Sequence, residues 1–140
     1  MIYSDNYGRQ FGDRAELLLE RRTFPNELIE EWWQIIKDIQ DGYCCIPPEL
    51  DLDLGRVRNS IEVLSVDGSL TVFAEHNTFK EDIHKLDEEY TSLRQVYPPW
   101  VRIDSHWWST RILKSACKEY IDFFGPTVPG EYGLTIQVVE

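Results

Sequence analysis

Two groups of carboxylates are the most obvious candidates for chemistry in this sequence. Glu49, Asp51 and Asp53 alternate with leucine, so they would share one face of an extended strand. Asp87 and Glu88 belong to an acid-rich segment that has the spacing of a surface helix. Carboxylates can act as acid and base in catalysis, but nothing in the sequence sets the distance between any two of them. The pattern therefore favours attraction of a cationic partner.

Trp107 is an aromatic residue in line with three cations. Arg111, Lys114 and Lys118 follow it at spacings of four, three and four residues, which would place all four side chains along one edge of a helix. Tryptophan and arginine supply many of the strongest contacts in protein interfaces, so this pattern indicates an anion or partner site that includes Trp107 and Arg111. The alternative is that Trp107 packs onto residues 98–100 while the cations neutralise neighbouring acidic helices.

Histidine and metal-binding patterns are weak. His84 and Glu88 are one helical turn apart and could supply two metal ligands, but this spacing is more typical of a solvated helix face. His76 could act as a base, although no adjacent serine or cysteine offers itself as a nucleophile. Phosphate-binding glycine loops, nucleophile elbows and C-x-x-C motifs do not occur. The sequence therefore predicts no metal and no cofactor, and it favours a non-enzymatic protein.

The cysteines do not suggest a disulfide framework. Cys44 and Cys45 are adjacent and close no useful loop together, and Cys117 falls on the buried face of a predicted helix. We therefore expect reduced thiols in a reducing compartment. The sequence has no apolar run near 18 residues and no signal-peptide pattern at its start. Together these features predict a soluble, cytoplasmic protein that does not act at a membrane.

Net charge is the strongest global signal. The 140 residues include 25 acidic and 14 basic side chains, giving a formal charge of −11. Such a surface repels nucleic acids and anionic membranes and attracts basic partners, although acidity can also serve solubility alone. A chain of this length with 42% hydrophobic residues suits one globular domain over residues 1–140.

The segment 105–124 is predicted to be a buried central helix. Its apolar side chains cover more than half the circumference of a helical projection, so they need partners on two sides. Ser105 or Asp104 can cap its first turn, and Gly125-Pro126 ends it.

Residues 61–74 have the pattern of a β-hairpin. Asp67-Gly68 is a preferred type I′ turn and would pair Val63 with Val72. A closing strand is predicted over 134–139, where apolar and polar residues alternate.

Amphipathic helices are predicted over 13–22, where a strand is the alternative, and over 23–42 and 78–97, while residues 1–12 show no clean period. In the second of these helices Trp32 belongs to the apolar stripe, whereas Trp33 falls at its edge and could lie at an interface. These elements predict an α+β fold in which a small, mainly antiparallel sheet packs against the buried central helix.

Two classes of function follow from these features. The small, acidic, aromatic-rich profile without a catalytic motif is similar to that of immunity proteins and other inhibitors that mask a basic toxin or nuclease. On this interpretation Glu49, Asp51, Asp53, Asp87, Glu88, Trp33, Trp107 and Arg111 contact the partner. The alternative is a small-ligand-binding domain or enzyme with a pocket between sheet and central helix, using His76 and Tyr43.

Overall fold

Helices dominate the computed structural model of the chain, which describes residues 3–98, 100, 106–109 and 112–139. The helices are α1 (Asp5–Leu19), α2 (Pro25–Gln40), α3 (Pro47–Ser65), α4 (Ala74–Leu93) and α5 (Lys118–Phe124). The strands are β1 (Arg94–Gln95), β2 (Ile112–Leu113), β3 (Ser115–Ala116) and β4 (Gln137–Val138). Trp107–Ser109 forms a 3₁₀ turn and Thr127–Glu131 a π-helical turn. The predicted α+β class is confirmed.

The four strands form two short pairs. β1 and β2 are antiparallel, with Arg94 opposite Leu113, whereas β3 and β4 are parallel, with Ser115 opposite Gln137. The predicted closing strand is therefore reduced to β4, and Ile136 just before it is its buried apolar residue. The antiparallel arrangement holds for only one of the two pairs.

The centre of the fold is α2, which packs against both α3 and α4. Pro25 occupies its first turn and Gly42 follows its end with φ at +93°, as the sequence predicts. Its buried face consists of Pro25, Leu28, Trp32, Ile35, Ile36 and Ile39. The apolar stripe of this helix is thus confirmed, because neighbouring helices cover it on two sides. Ile29, at its edge, is half-buried.

α1 begins earlier than predicted, at Asp5 instead of Asp13. The hydroxyl of Ser4 accepts a 3.3 Å hydrogen bond from the backbone N–H of Tyr7 and so caps the first turn. Tyr7 and Phe11 are fully buried, one turn apart. Two large aromatic residues at this spacing give the segment its helical apolar face, even though glycine and polar residues separate them.

The predicted hairpin over 61–74 is wrong, because residues 47–65 are a continuous helix. The alternation of acid and leucine conceals a helical period: Leu50 and Leu54 are buried one turn apart, while Leu52 is 67% exposed. Ile61 and Leu64 continue the same buried face. The strand predicted for Glu49, Asp51 and Asp53 is wrong for the same reason.

Asp67-Gly68 lies in the turn between α3 and α4 instead of between two strands. The Asp67 carboxylate accepts hydrogen bonds of 2.7 Å from the backbone N–H of Ser69 and 2.8 Å from Nε of Arg14. Val63 and Val72, the predicted cross-strand pair, are both exposed. The hydrogen bond from a turn N–H to an aspartate side chain can form in a helix–helix connection as well as in a hairpin. Asp67-Gly68 alone therefore does not distinguish the two structures.

α4 begins at Ala74, so Thr78 lies inside the helix and does not cap it as a capping box would. The helix buries His76, Phe79, Ile83 and Tyr90 against the rest of the core. Across the residues that the structure describes, every helix is too short or too polar to span a bilayer.

The predicted central helix over 105–124 is also wrong. Its described parts are the 3₁₀ turn, β2, β3 and α5, of which only α5 is α-helical; Asp104 and Ser105 lie outside the described residues. The burial expected of this segment is nevertheless found, since Ile112, Ala116 and Tyr120 are all 0% exposed. β2 precedes Lys114 and β3 follows it, and each pairs with another strand. This pairing buries apolar residues that the sequence pattern places around a helix. Gly125 ends α5, as predicted.

The expectation of three reduced thiols is wrong for two of them. Cys44 and Cys117 form a disulfide with their Cα atoms 5.1 Å apart, and Cys45 is free and exposed. Because Cys117 precedes α5 instead of lying within a long helix, it meets the loop after α2. Its backbone N–H donates a 3.1 Å hydrogen bond to the carbonyl of Tyr43.

Candidate partner-binding surfaces

Three of the predicted site residues lie around one cavity between α4 and the 3₁₀ turn. Asp87, Glu88 and Trp107 line this space of about 420 Å³ together with His84 and Thr91. We call it the Trp107 cavity. No pattern in the sequence places Trp107 next to the acidic helix, because the two lie in separate elements.

The Asp87 carboxylate is bound inside the molecule. Nε and Nη2 of Arg58 each donate a 2.9 Å hydrogen bond to it, one to each oxygen, and Nε1 of Trp32 donates a third at 3.0 Å. The Arg58 side chain is only 6% exposed and that of Asp87 13% exposed. A paired arginine–carboxylate contact of this kind is strong and directional. Asp87 therefore joins α2, α3 and α4.

Arg58 also stacks on the tryptophans of the 3₁₀ turn. Its guanidinium carbon lies 4.4 Å from the ring centroid of Trp108 and 5.6 Å from that of Trp107. Arg94 lies 5.6 Å from the Trp107 centroid as well. Trp107 is thus beside two cations, and 41% of it is exposed. Cation–π contacts with arginine fix the orientation of such rings.

The cations predicted beside Trp107 occupy other places. Lys114 is an exposed residue between β2 and β3, and Lys118 begins α5, where its ammonium lies 3.9 Å from Asp122. Arg111 lies outside the described residues. The predicted row of side chains along one helix edge requires one continuous helix, whereas the described residues of this segment form a turn, two strands and a short helix.

Glu88 lies on the solvent side of α4. Its carboxylate is 3.0 Å from Nε2 of His84, and the two side chains are 69% and 72% exposed. An exposed pair one turn apart contributes only a few tenths of a kcal/mol. Because both side chains are mostly exposed, the pair is interpreted as part of a solvated helix face. Among the described residues, no group of three or more His, Cys, Asp or Glu side chains could hold a metal ion.

The carboxylates of α3 divide between two sides of the helix. Glu49 and Asp53 are one turn apart and lie near Tyr43; burial raises the pKa of the Tyr43 hydroxyl, with Asp53, Cys45, Glu49 and Asp38 adding to the rise. Asp51 lies on the opposite flank and acts on Tyr90, whose pKa is raised mainly by burial and further by Asp51. Glu49 and Asp53 therefore lie on one side of α3 and Asp51 on another, and Asp53 is also 3.8 Å from Arg56.

Trp33 lies in a shallow groove between α2 and α4, which we call the Trp33 groove. Its volume is about 560 Å³. Apolar atoms come from Ile29, Trp33 and Leu86, and polar groups from Glu30, Asp82 and Lys85. Trp33 is 43% exposed. An aromatic centre with a charged rim is typical of protein interfaces.

His76 is a structural residue of the core. Its Nε2 lies 3.0 Å from the carbonyl oxygen of Ser65, so Nε2 carries the proton, and Nδ1 accepts a 2.8 Å hydrogen bond from the hydroxyl of Tyr7. Burial lowers the pKa of the imidazole. Both nitrogens are occupied, and His76 packs with Tyr7 and Phe79 whereas Tyr43 packs with Tyr120. The contacts of the two residues give no support to a shared ligand pocket.

Arg58 and Arg94 are the site residues that the sequence did not single out. Arg58 is one turn from Leu54 and three residues from Ile61, so a helical interpretation of 47–65 would have placed it on the apolar face. A buried arginine needs a charged partner, which would have directed attention to Asp87. Arg94 follows the last turn of α4 and carried no comparable signal.

Neither a protein-family model, nor a curated protein sequence, nor a solved structure matches this chain.

Proposed function

We propose that this protein is a non-enzymatic interaction module, an acidic inhibitor or immunity-type protein that masks a basic partner such as a toxin or nuclease. The observation that carries the proposal is the charge of two adjoining helices. α4 carries six acidic residues and two lysines, and α2 carries four acidic residues and one lysine. These helices pack side by side and account for −7 of the formal charge of −11, of which the charge of Asp87 is offset by Arg58 of α3. A concentrated field of one sign speeds encounter with a partner of the opposite sign.

The predicted contact residues contribute to this surface in different ways. Glu88 on α4 and Glu49 on α3 are exposed and available for long-range attraction. Trp33 and Trp107 supply exposed aromatic area, which is enriched among the strongest interface contacts. Asp87 acts indirectly, because it holds the helices that carry the other carboxylates. Arg111 and Asp51 stay part of the predicted contact set. The surface charge disfavours nucleic acid as the partner.

The predicted cytoplasmic location is part of the same proposal, and it requires the protein to function without the Cys44–Cys117 disulfide. Glutathione and thioredoxin keep most cytoplasmic thiols reduced. A masking protein that works there must therefore fold and bind with Cys44 and Cys117 unpaired, whereas a protein that works outside the cytoplasm keeps the bond.

Association kinetics against salt test the masking proposal. The full chain is used to capture its partner from the source cells, and association rates are then measured from about 20 to 500 mM salt, a range over which screening of exposed charges becomes strong. We expect the partner to be basic and the association rate to fall at least about tenfold over this range, with dissociation little changed. An acidic partner, or an association rate that does not vary with salt, would contradict the proposal.

Charge reversal on the protein gives the matched test. Replacing Glu88 and Glu89, two exposed residues of α4, with lysine should slow association, because it removes part of the attractive field. Glu49→Lys with Asp53→Lys should do the same on α3. Asp13→Lys with Glu16→Lys on α1 is the comparison, and we expect a smaller change in association rate there. Because both carboxylates bind Arg22 in the folded chain, the unfolding free energy of this variant is measured as well.

A further inference from the structure

Among the residues that the structure describes, Trp33 differs from Trp32, Trp107 and Trp108 in having no hydrogen-bonding, ring or cation partner. Trp32 and Trp108 donate their indole N–H groups to Asp87 and Asn59, and Trp107 lies beside two arginines. Within the described part of the chain, the Trp33 ring has no hydrogen bond, ring contact or cation above it. A large aromatic residue in this condition, 43% exposed and centred in a groove, is suited to contact another molecule.

In the interior of the protein, a tryptophan ring and a carboxylate together bind an arginine side chain. At the 3₁₀ turn, Arg58 stacks 4.4 Å from the Trp108 centroid while its N–H groups bond both oxygens of Asp87 at 2.9 Å. Arginine suits this combination because its planar guanidinium can stack on an indole and donate in its own plane at the same time.

The Trp33 groove contains the same two kinds of group without an arginine. Glu30 precedes Trp33 by one turn on α2, and Asp82 contributes a second carboxylate from α4, on the other side of the groove. Glu30 is exposed and has no ion pair among the described residues, while Asp82 accepts a 2.9 Å hydrogen bond from the hydroxyl of Tyr3. Lys85 is the only basic residue among the described groups that line the groove. Its charge opposes a cation there and so lowers affinity, and it forms no ion pair with Glu30 or Asp82 among the described residues.

We propose that the Trp33 groove binds an arginine side chain of the basic partner, with the guanidinium over the Trp33 ring and its N–H groups directed at Glu30 and Asp82. The inference rests on the proposed masking function and names the chemistry that one part of the acidic surface recognises. It requires arginine in preference to lysine, because a lysine ammonium cannot stack and form paired hydrogen bonds together.

Peptide titration followed by NMR tests the site with the intact protein. The probes are capped pentapeptides Ala-Ala-X-Ala-Ala in which X is arginine, lysine or citrulline, the last having the shape of arginine without its charge. At about 20 mM salt, where screening is weak, we expect the arginine peptide to shift the indole N–H of Trp33 and the amides of Lys85 and Leu86. We expect it to bind roughly two- to fivefold more tightly than the lysine peptide, as an exposed cation–π contact allows.

Variants identify the groups responsible. Trp33→Ala and Glu30→Gln should each weaken the arginine peptide at least about twofold, and Lys85→Ala should strengthen it, because a like charge is removed. Trp100→Ala, at a tryptophan that is 72% exposed and outside the groove, and Glu27→Gln, on the same helix, are controls that should change nothing. Each of the following results overturns the inference: no shift in the groove, equal binding of citrulline, or unchanged binding after Trp33→Ala. If the arginine and lysine peptides bind equally well elsewhere on α2 and α4, the groove inference fails while the masking function stands.

Discussion

Arg58 and Asp87 are joined by two hydrogen bonds of 2.9 Å each, one to either oxygen of the carboxylate, across the contact between α3 and α4. Both side chains are largely buried, and the arginine is covered by the ring of Trp108. In the sequence Asp87 is one of several carboxylates on an acidic helix. The pairing with Arg58 gives Asp87 a structural role, whereas its neighbour Glu88 is exposed to solvent. The acidic surface depends on one carboxylate that is mostly buried, with its side chain 13% exposed.

Removing Asp87 should therefore destabilise the fold far more than removing Glu88. Asp87→Ala removes the acceptor of two Arg58 hydrogen bonds and leaves Glu62, 3.1 Å from Nη1, as the remaining carboxylate partner of the buried guanidinium among the described residues. We therefore expect a loss of about 2–4 kcal/mol, below that of a wholly unpaired buried charge. Glu88→Ala removes only an exposed contact with His84 and should cost less than about 0.5 kcal/mol. Urea unfolding of both variants measures the difference. Equal destabilisation would show that the Arg58–Asp87 pair does not hold α3 against α4.

The disulfide should stabilise the folded chain without being required for folding. Its half-cystines are 73 residues apart, and closing a loop of that length restricts the unfolded state by about 4 kcal/mol in the chain-entropy model. Cys44→Ser should lower the free energy of unfolding by about 2–4 kcal/mol. Cys45→Ser is the matched control, because this neighbouring thiol is free and exposed.

The same measurement under a phosphine reductant checks the assignment of the bond. The unmodified protein and the Cys45→Ser variant should lose stability on reduction, whereas Cys44→Ser should not respond. A stable protein whose denaturation midpoint ignores the reductant would contradict the Cys44–Cys117 pairing.

Stability should fall as the solution is acidified through the ordinary titration range of histidine. Burial is the main cause that lowers the pKa of His76 below 6.5, with Lys80 adding to the effect and the Ser65 carbonyl and Asp67 opposing it. Below pH 6.5 the unfolded chain binds a proton that the folded chain does not, so each pH unit removes up to about 1.4 kcal/mol until the folded pKa is reached. Above about pH 7 this contribution is constant.

Unfolding free energies between about pH 7.5 and 5 measure this slope. His76→Gln should flatten it even if the variant is less stable throughout, because the amide does not titrate. His84→Gln, at an exposed histidine, should keep the slope of the unmodified protein. A slope that survives in His76→Gln would assign it to other groups.

Gly68 distinguishes the helical connection at 67–68 from the hairpin that the sequence predicts, and Gly42 gives the comparison. Gly68 has no atom within 4 Å of the place that a Cβ would occupy and no positive φ, so Gly68→Ala should change stability by less than about 0.5 kcal/mol. A type I′ turn would instead need glycine there. Gly42 has φ at +93°, and a Cβ would meet Val139 at 2.9 Å. Gly42→Ala should therefore cost at least about 1 kcal/mol. Thermal unfolding of the two variants gives the comparison.

The parts of the fold that the sequence predicts well are those in which one face of a helix is continuously apolar. α2 is the clear example: Leu28, Trp32 and Ile36 recur at one-turn spacing with proline at the start and glycine after the end. The prediction for α3 is wrong because leucine alternates with acidic residues in its first turns, which indicates a strand. This period of two conceals the helical spacing of four residues between Leu50 and Leu54. The burial of Ile112, Ala116 and Tyr120 was predictable from composition, but their division among strands and a short helix depends on pairing partners distant in sequence.

The sequence predicts which residue types belong to the candidate site, but it does not predict which of these residues contact one another. Glu88 and Trp33 are exposed, in keeping with a predicted role at the surface. The function of Asp87 depends on Arg58, 29 residues away, and the neighbours of Trp107 depend on where the 3₁₀ turn meets α3. Such contacts arise from the packing of helices, which hydrophobic spacing within one segment does not specify.

The disulfide also determines how the protein would respond to tension. A force applied between the two ends of the chain passes from Cys44 to Cys117 through the sulfur atoms and bypasses α3 and α4. About 250 Å of extended chain is thereby shielded, at roughly 3.4 Å per residue. Pulling the oxidised protein, as a translocating or degrading machine does, would unravel α1, α2 and the C-terminal segment first. The two helices that carry Arg58 and Asp87 would be extended only after the bond is reduced.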